Sequence, residues 1–79
     1  MVNSIDKKYK KDFGKNLKNL REKKIVDGKK LSQHKLSLDA GLDKNVIGNL
    51  ERGEANPKIT TVRTLAKVLE VHPKDLLDF

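Results

Sequence analysis

The feature that most restricts how this chain folds is a glycine-centred corner between two short, apolar-patterned segments. In the first, Ser32 is a good N-cap, since its hydroxyl can accept a backbone N–H left free by the first helical turn. Leu36 and Ala40 follow, four apart on one helical face. Gly41 stops the segment, because a residue without a Cβ enters the left-handed conformation with least strain. Leu42-Asp43 comes next, with Asp43 as the expected N-cap of a second helix over residues 44–52. Val46, Ile47 and Leu50 form the apolar stripe of that helix, and Gly53 ends it. Small or apolar side chains thus fall where two steeply crossing helices must touch. Lys44, Asn45, Gly48 and Asn49 are left for the outer face of the second helix.

The flanking sequence supplies three more helices. Residues 6–24 carry Phe13, Leu17 and Leu20 on one stripe, with Tyr9 one turn earlier, and mostly lysine elsewhere; residues 1–5 read as a frayed terminus. Val26-Asp27-Gly28-Lys29 interrupts, with Asp-Gly as a turn signal, and Glu54-Ala55-Asn56-Pro57 reads as a loop. Residues 58–69 form an amphipathic helix through Ile59, Val62, Leu65, Ala66 and Leu69. Val71-His72-Pro73 breaks it, and Pro73 suits the first position of a last short helix reaching Asp78, with Leu76, Leu77 and Phe79 as its apolar residues. Sustained period-two alternation is absent. The reading is all-α, five helices in one domain over residues 1–79, with a helix-turn-helix unit at about residues 33–52.

Composition narrows the function. Seventy-nine residues, of which 35% are hydrophobic and 4% aromatic, support a single thin core. With no cysteine there is no disulfide scaffold and no cysteine-ligated zinc. No segment reads as a secretion signal or a membrane span, so a soluble, cytoplasmic protein is expected. The net charge of +7 is unevenly placed: residues 1–31 hold eleven of the eighteen basic residues but four of the eleven acidic ones. The remainder is neutral. Such asymmetry points to a polyanionic partner, nucleic acid ahead of a membrane surface, with a merely solubilising lysine face as the plain alternative. His34 and His72 stand isolated, so no metal site is expected. No phosphate-cradling Gly-Lys-Ser/Thr loop or His-Glu-x-x-His occurs, so neither enzyme activity nor a cofactor is expected.

Residues 13–79 resemble the Cro/CI-type (XRE) helix-turn-helix DNA-binding domain, the lambda-repressor-like fold. The resemblance is carried by Phe13-Gly14-Lys15-Asn16-Leu17-Lys18-Asn19-Leu20-Arg21 and Leu31-Ser32-Gln33-His34-Lys35-Leu36. It continues in Ala40-Gly41-Leu42, Val46-Ile47-Gly48-Asn49-Leu50-Glu51-Arg52-Gly53, Asn56-Pro57 and Thr61-Val62-Arg63-Thr64-Leu65-Ala66-Lys67-Val68-Leu69. It implies a homodimer that reads an inverted-repeat operator in double-stranded DNA, with half-sites about 34 Å apart. Lys44, Asn45 and Asn49 match base-reading positions: Lys donates to guanine O6/N7, and Asn pairs with adenine N6/N7. Gln33 matches a phosphate clamp at a helix N-terminus, beside Ser32. Arg52, Asn56 and Lys58 are further phosphate candidates. Arg21 and Glu51 match a buried ion pair that orients the reading helix.

Three departures from the family pattern stand out. Arg21 and Ser32 are further apart than usual, so residues 25–29 read as an insertion, which brings Lys29 and Lys30 near the expected phosphate backbone. Ser37 stands where the family favours alanine. Gly48 lies inside the reading helix and would leave its groove face bare. Val68, Leu76, Leu77 and Phe79 exceed what a small core must absorb and are read as a dimer seam, against ordinary burial under the first helix. With no room for a ligand domain, no small-molecule effector is expected. The resemblance extends to restriction–modification controller proteins and small phage-type repressors. The alternative function is an antitoxin, or an interaction module that keeps the fold for dimerisation.

Overall fold

The computed structural model describes residues 3–79. Helix α1 (Asn3–Lys23) is the longest element, and it begins earlier than its apolar stripe suggests: residues 3–5 are helical, whereas residues 1 and 2 lie outside the described residues. Phe13 and Leu17 are fully buried, and Arg21 continues their face at 7% exposure. Tyr9, at the start of the stripe, is 44% exposed.

Residues 25–30 form a β-hairpin, so the all-α expectation needs a small amendment. Strands β1 (Ile25–Val26) and β2 (Lys29–Lys30) pair antiparallel, Ile25 opposite Lys30 and Val26 opposite Lys29. Asp27 (φ 53°) and Gly28 (φ 78°) both adopt positive φ, the signature of a two-residue type I′ turn whose twist suits flanking strands. Leu31 N donates to Lys24 O at 2.9 Å and closes the hairpin at its base.

Helix α2 (Gln33–Ala40) starts at Ser32, whose Oγ accepts from Lys35 N at 3.0 Å. Gly41 takes φ 68°, ψ 31°, and Leu42 N donates back to Ser37 O at 2.9 Å, which completes the corner. Helix α3 (Lys44–Glu51) follows; Asp43 occupies its N-cap with extended backbone but makes no side-chain cap hydrogen bond. Helix α4 (Ile59–Leu69) ends on Glu70, held in the left-handed conformation at φ 59°. Lys24 Nζ reaches the Glu70 carboxylate at 2.6 Å and, by hydrogen bond and then charge, holds that carboxyl below its usual range. Helix α5 (Pro73–Leu77) opens on proline, with His72 N donating to Asp75 Oδ2 at 3.0 Å.

One apolar cluster joins all five helices: Phe13, Leu17, Leu31, Leu36, Ile47, Leu50, Val62, Leu65, Ala66, Leu69 and Leu76. Ile59 departs from the expected stripe at 76% exposure, because it is the first residue of α4 and projects past the end of the core. Leu76 is a correction to the expected dimer seam. It is fully buried in the chain's own core, so no face of it is left for a second copy. Asn16 anchors this region, donating from Nδ2 to Asp75 O and Leu76 O, both at 2.8 Å.

Candidate nucleic-acid interface

The orientation of α3 is set from behind. Arg21 on α1 donates from Nε to Glu51 Oε2 at 2.6 Å and from Nη2 to Glu51 Oε1 at 3.0 Å. Its third nitrogen, Nη1, donates to Leu31 O at 2.8 Å, so the guanidinium also pins the short link between β2 and α2. The pair is nearly dry, with side-chain exposures of 9% for Arg21 and 4% for Glu51. The hydrogen bonds to Glu51 raise the Arg21 pKa above its ordinary value, against the opposing pull of burial. A group raised in the folded state contributes stability below its unfolded pKa and loses it only at still higher pH. Arg21 is therefore cationic wherever the protein is folded.

Gln33, the first residue of α2, extends this network outward. Its Nε2 donates to Glu51 Oε1 at 2.8 Å, so one carboxylate ties α1, α2 and α3 together. The expected phosphate clamp is thus already engaged on one side, with its exposed position on the α2 N-terminus fixed by the buried pair. A second constraint lies at the crossing of α1 and α3. A Cβ on Gly14 would stand 2.6 Å from Glu51 O and closer still to Leu50 O, so the two backbones touch where Gly14 has no side chain.

Lys44 and Asn45 are exposed on the first turn of α3. Asn49 is half-buried one turn further on, and its Oδ1 accepts from Arg52 Nη2. Arg52 is exposed and also pairs through Nε with Glu54 Oε1 at 3.1 Å. Gly48 corrects the expectation of a bare groove face. It is buried, with a Cβ position 3.1 Å from Arg52 Nη1 and 3.5 Å from Gln33 Oε1, so these two side chains roof it. Sequence spacing places residue 48 outward but does not show that Arg52 folds back over it.

The other expected contact residues fall into two further patches. Lys29, Lys30 and Ser32 line one shallow groove together with Lys35, a lysine not singled out from the sequence. Asn56 and Lys58 line another with Asn49, beside Val46 and Ala55. The expected seam residues are split: Val68 packs half-buried against the core, while Leu77 and Phe79 are 46% and 48% exposed. Phe79 folds against Tyr9 at a centroid distance of 5.4 Å and meets Phe13 edge-on at 6.3 Å, so it partly covers its own core.

The helix-turn-helix family model matches residues 17–76, most of the chain. This chain belongs to the helix-turn-helix family, in its Cro/CI (XRE) type, a family of DNA-binding transcription regulators. It is 36% identical over 67 residues to the control protein C.BamHI of Bacillus amyloliquefaciens, covering 85% of this chain and 78% of that protein. It is also similar to the crystal structure of the restriction–modification controller protein C.AhdI of Aeromonas hydrophila. There the identity is 34% and the TM-score 0.76, over 85% of this chain and 94% of the other.

Proposed function

We propose that this protein is a sequence-specific transcription regulator of the restriction–modification controller kind, binding an inverted-repeat operator in double-stranded DNA as a homodimer. Residues 1–79 act as one DNA-binding domain, and a regulator of bacterial genes works in the cytoplasm. The observation that carries the reading is the Arg21–Glu51–Gln33 network. It holds α3 rigidly against α1 and α2 while Lys44 and Asn45 stay exposed at its tip. Rigid placement matters because a major-groove hydrogen bond must find its base edge without the helix reorganising. The similarity to two controller proteins supports that branch of the family over phage-type repressors and over the antitoxin alternative.

In this reading α3 enters the major groove, Lys44, Asn45 and Asn49 face the bases, and Gln33 meets a phosphate at the α2 N-terminus. Lys29, Lys30, Ser32, Asn56 and Lys58 lie along the flanking backbone. The decisive test is selection of bound duplexes from a random pool, with chains per duplex counted by sedimentation. An inverted repeat bound by two chains is expected; a single unpaired site, or no recovered preference, contradicts the proposal.

Lysines that contact phosphates release counterions when they bind, and each contact steepens the dependence of affinity on salt. Lys29→Ala and Lys30→Ala should each weaken binding to all duplexes alike and reduce the salt slope by about one unit. An unchanged slope removes the hairpin from the contact surface. The seam is reduced here to Leu77, Phe79 and the exposed part of Val68. Leu77→Glu should give monomers in sedimentation with the melting temperature nearly unchanged; intact dimers place the seam elsewhere.

A further inference from the structure

Arg52 has the form of a base reader with its donors already arranged. It lies four residues after Gly48 and three after Asn49, on the outward stripe that begins at Asn45. Long side chains on a helix lean toward its N-terminus, and the missing Cβ at Gly48 lets this one lie down. Nη1 then rests over Gly48, Nη2 donates to Asn49 Oδ1, and Nε faces Glu54 at 3.1 Å. The guanidinium is thereby carried about one turn, roughly 5 Å, toward the helix tip and alongside Asn49. Among the described residues Nη1 donates to no protein acceptor.

We propose that Arg52 and Asn49 form one donor-only reading head, seated on Gly48, which selects a guanine through the N7 and O6 acceptors of its major-groove edge. This rests on the DNA-binding reading above and sharpens it. A guanidinium has no acceptor atom, so the Asn49 atom facing it must be the carbonyl oxygen, and the amide NH2 is what remains to be presented. Asn49 alone would suit adenine, offering both an acceptor and a donor. With its oxygen engaged, the pair offers donors only, and adenine would place its own N6 donor against them. An unpaired donor in a desolvated groove is costly, so the mismatch is penalised as well as unrewarded. Glu54 decides between base and phosphate: a carboxylate at 3.1 Å from Nε repels a phosphate oxygen but tolerates the neutral edge of a base. Arg52 is therefore a specificity-determining residue rather than the backbone contact that its place at the helix end suggests.

The test is duplex selection from a random pool with the wild type, Arg52→Ala, Arg52→Lys and Gly48→Ala, followed by titration of the selected operator. In the wild type each half-site should contain a guanine whose preference vanishes in Arg52→Ala while the other positions keep theirs. Affinity for the selected site should fall on the order of tenfold or more. Arg52→Lys should not restore the preference, because a point charge lacks the planar fork. Gly48→Ala should weaken the same preference in part, since its Cβ displaces Nη1 by a few tenths of an ångström while favouring helix. Replacing that guanine by 7-deazaguanine should weaken the wild type and leave Arg52→Ala unmoved, whereas inosine, with the same major-groove edge, should change neither. If Arg52→Ala weakens all duplexes equally with a salt slope lower by about one, the residue holds a phosphate and the reading head is wrong. If the wild type itself recovers no preferred sequence, the sequence-specific reading fails with it.

Discussion

Arg21→Ala should lower the melting temperature by on the order of 20 °C, one of the two largest effects expected anywhere in the chain. The substitution removes three hydrogen bonds at once, two to Glu51 and one to Leu31 O. It leaves the Glu51 carboxylate in a site where 4% of its side chain meets solvent. An orphaned buried charge costs about 3–5 kcal/mol, and about 1 kcal/mol moves the midpoint of a domain this small by roughly 4–8 °C. Since a chain of this length has on the order of 4–12 kcal/mol in total, much of its stability is at stake. A thermal melt followed by circular dichroism checks it. The double variant Arg21→Met/Glu51→Met should recover a large part of the loss, because it removes both charges together. A single-variant shift under about 5 °C would mean that the pair is solvated and does not fix α3.

Gly14→Ala should be comparably damaging, although alanine is the better helix former and would ordinarily stabilise an interior helical position by about 1 kcal/mol. The added methyl would meet backbone, Glu51 O at 2.6 Å and Glu51 C at 2.9 Å, rather than the movable end of a side chain. Relief therefore requires α1 and α3 to move apart, and this stretches the Arg21–Glu51 hydrogen bonds about two turns further along α1. Overpacking typically costs about 1–3 kcal/mol, and the coupling to a buried ion pair puts this case at or above the upper end. Denaturant unfolding should show a lower midpoint with an unchanged slope. A midpoint equal to the wild type would refute the close approach of the two helices.

These two residues also show what a linear sequence can and cannot display. The corner at Gly41, the N-cap at Ser32 and the stripes of α3 and α4 are local, set by turn chemistry and a 3.6-residue period, and they are legible directly. Gly14 is not, because its reason for being glycine is a backbone almost forty residues away. The hairpin at residues 25–30 was legible in part: Asp27-Gly28 is a strong turn signal, but strands of two residues are too short for alternation to register. Leu76 looked surplus because its burial depends on how α5 docks, and the Asn16 side chain on α1 holds the α5 backbone across some sixty residues of sequence. Ile59 misled in the opposite way, fitting the stripe of a helix whose first turn extends beyond the core. At the interface, residue types and spacing indicated which side chains stand near α3. The cross-links Gln33–Glu51 and Arg52–Asn49 depend on side-chain direction, which spacing does not encode.

The most direct test of base reading by α3 is the affinity of Lys44→Ala for the selected operator and for random duplex, measured at the same salt concentration. Lys44 is exposed on the first turn of α3, so the variant should fold as the wild type does. Binding to the operator should weaken by about 1–3 kcal/mol while binding to random duplex changes far less, so that the ratio between them collapses. Equal losses on both would make Lys44 a backbone contact and would contradict a major-groove role for the tip of α3.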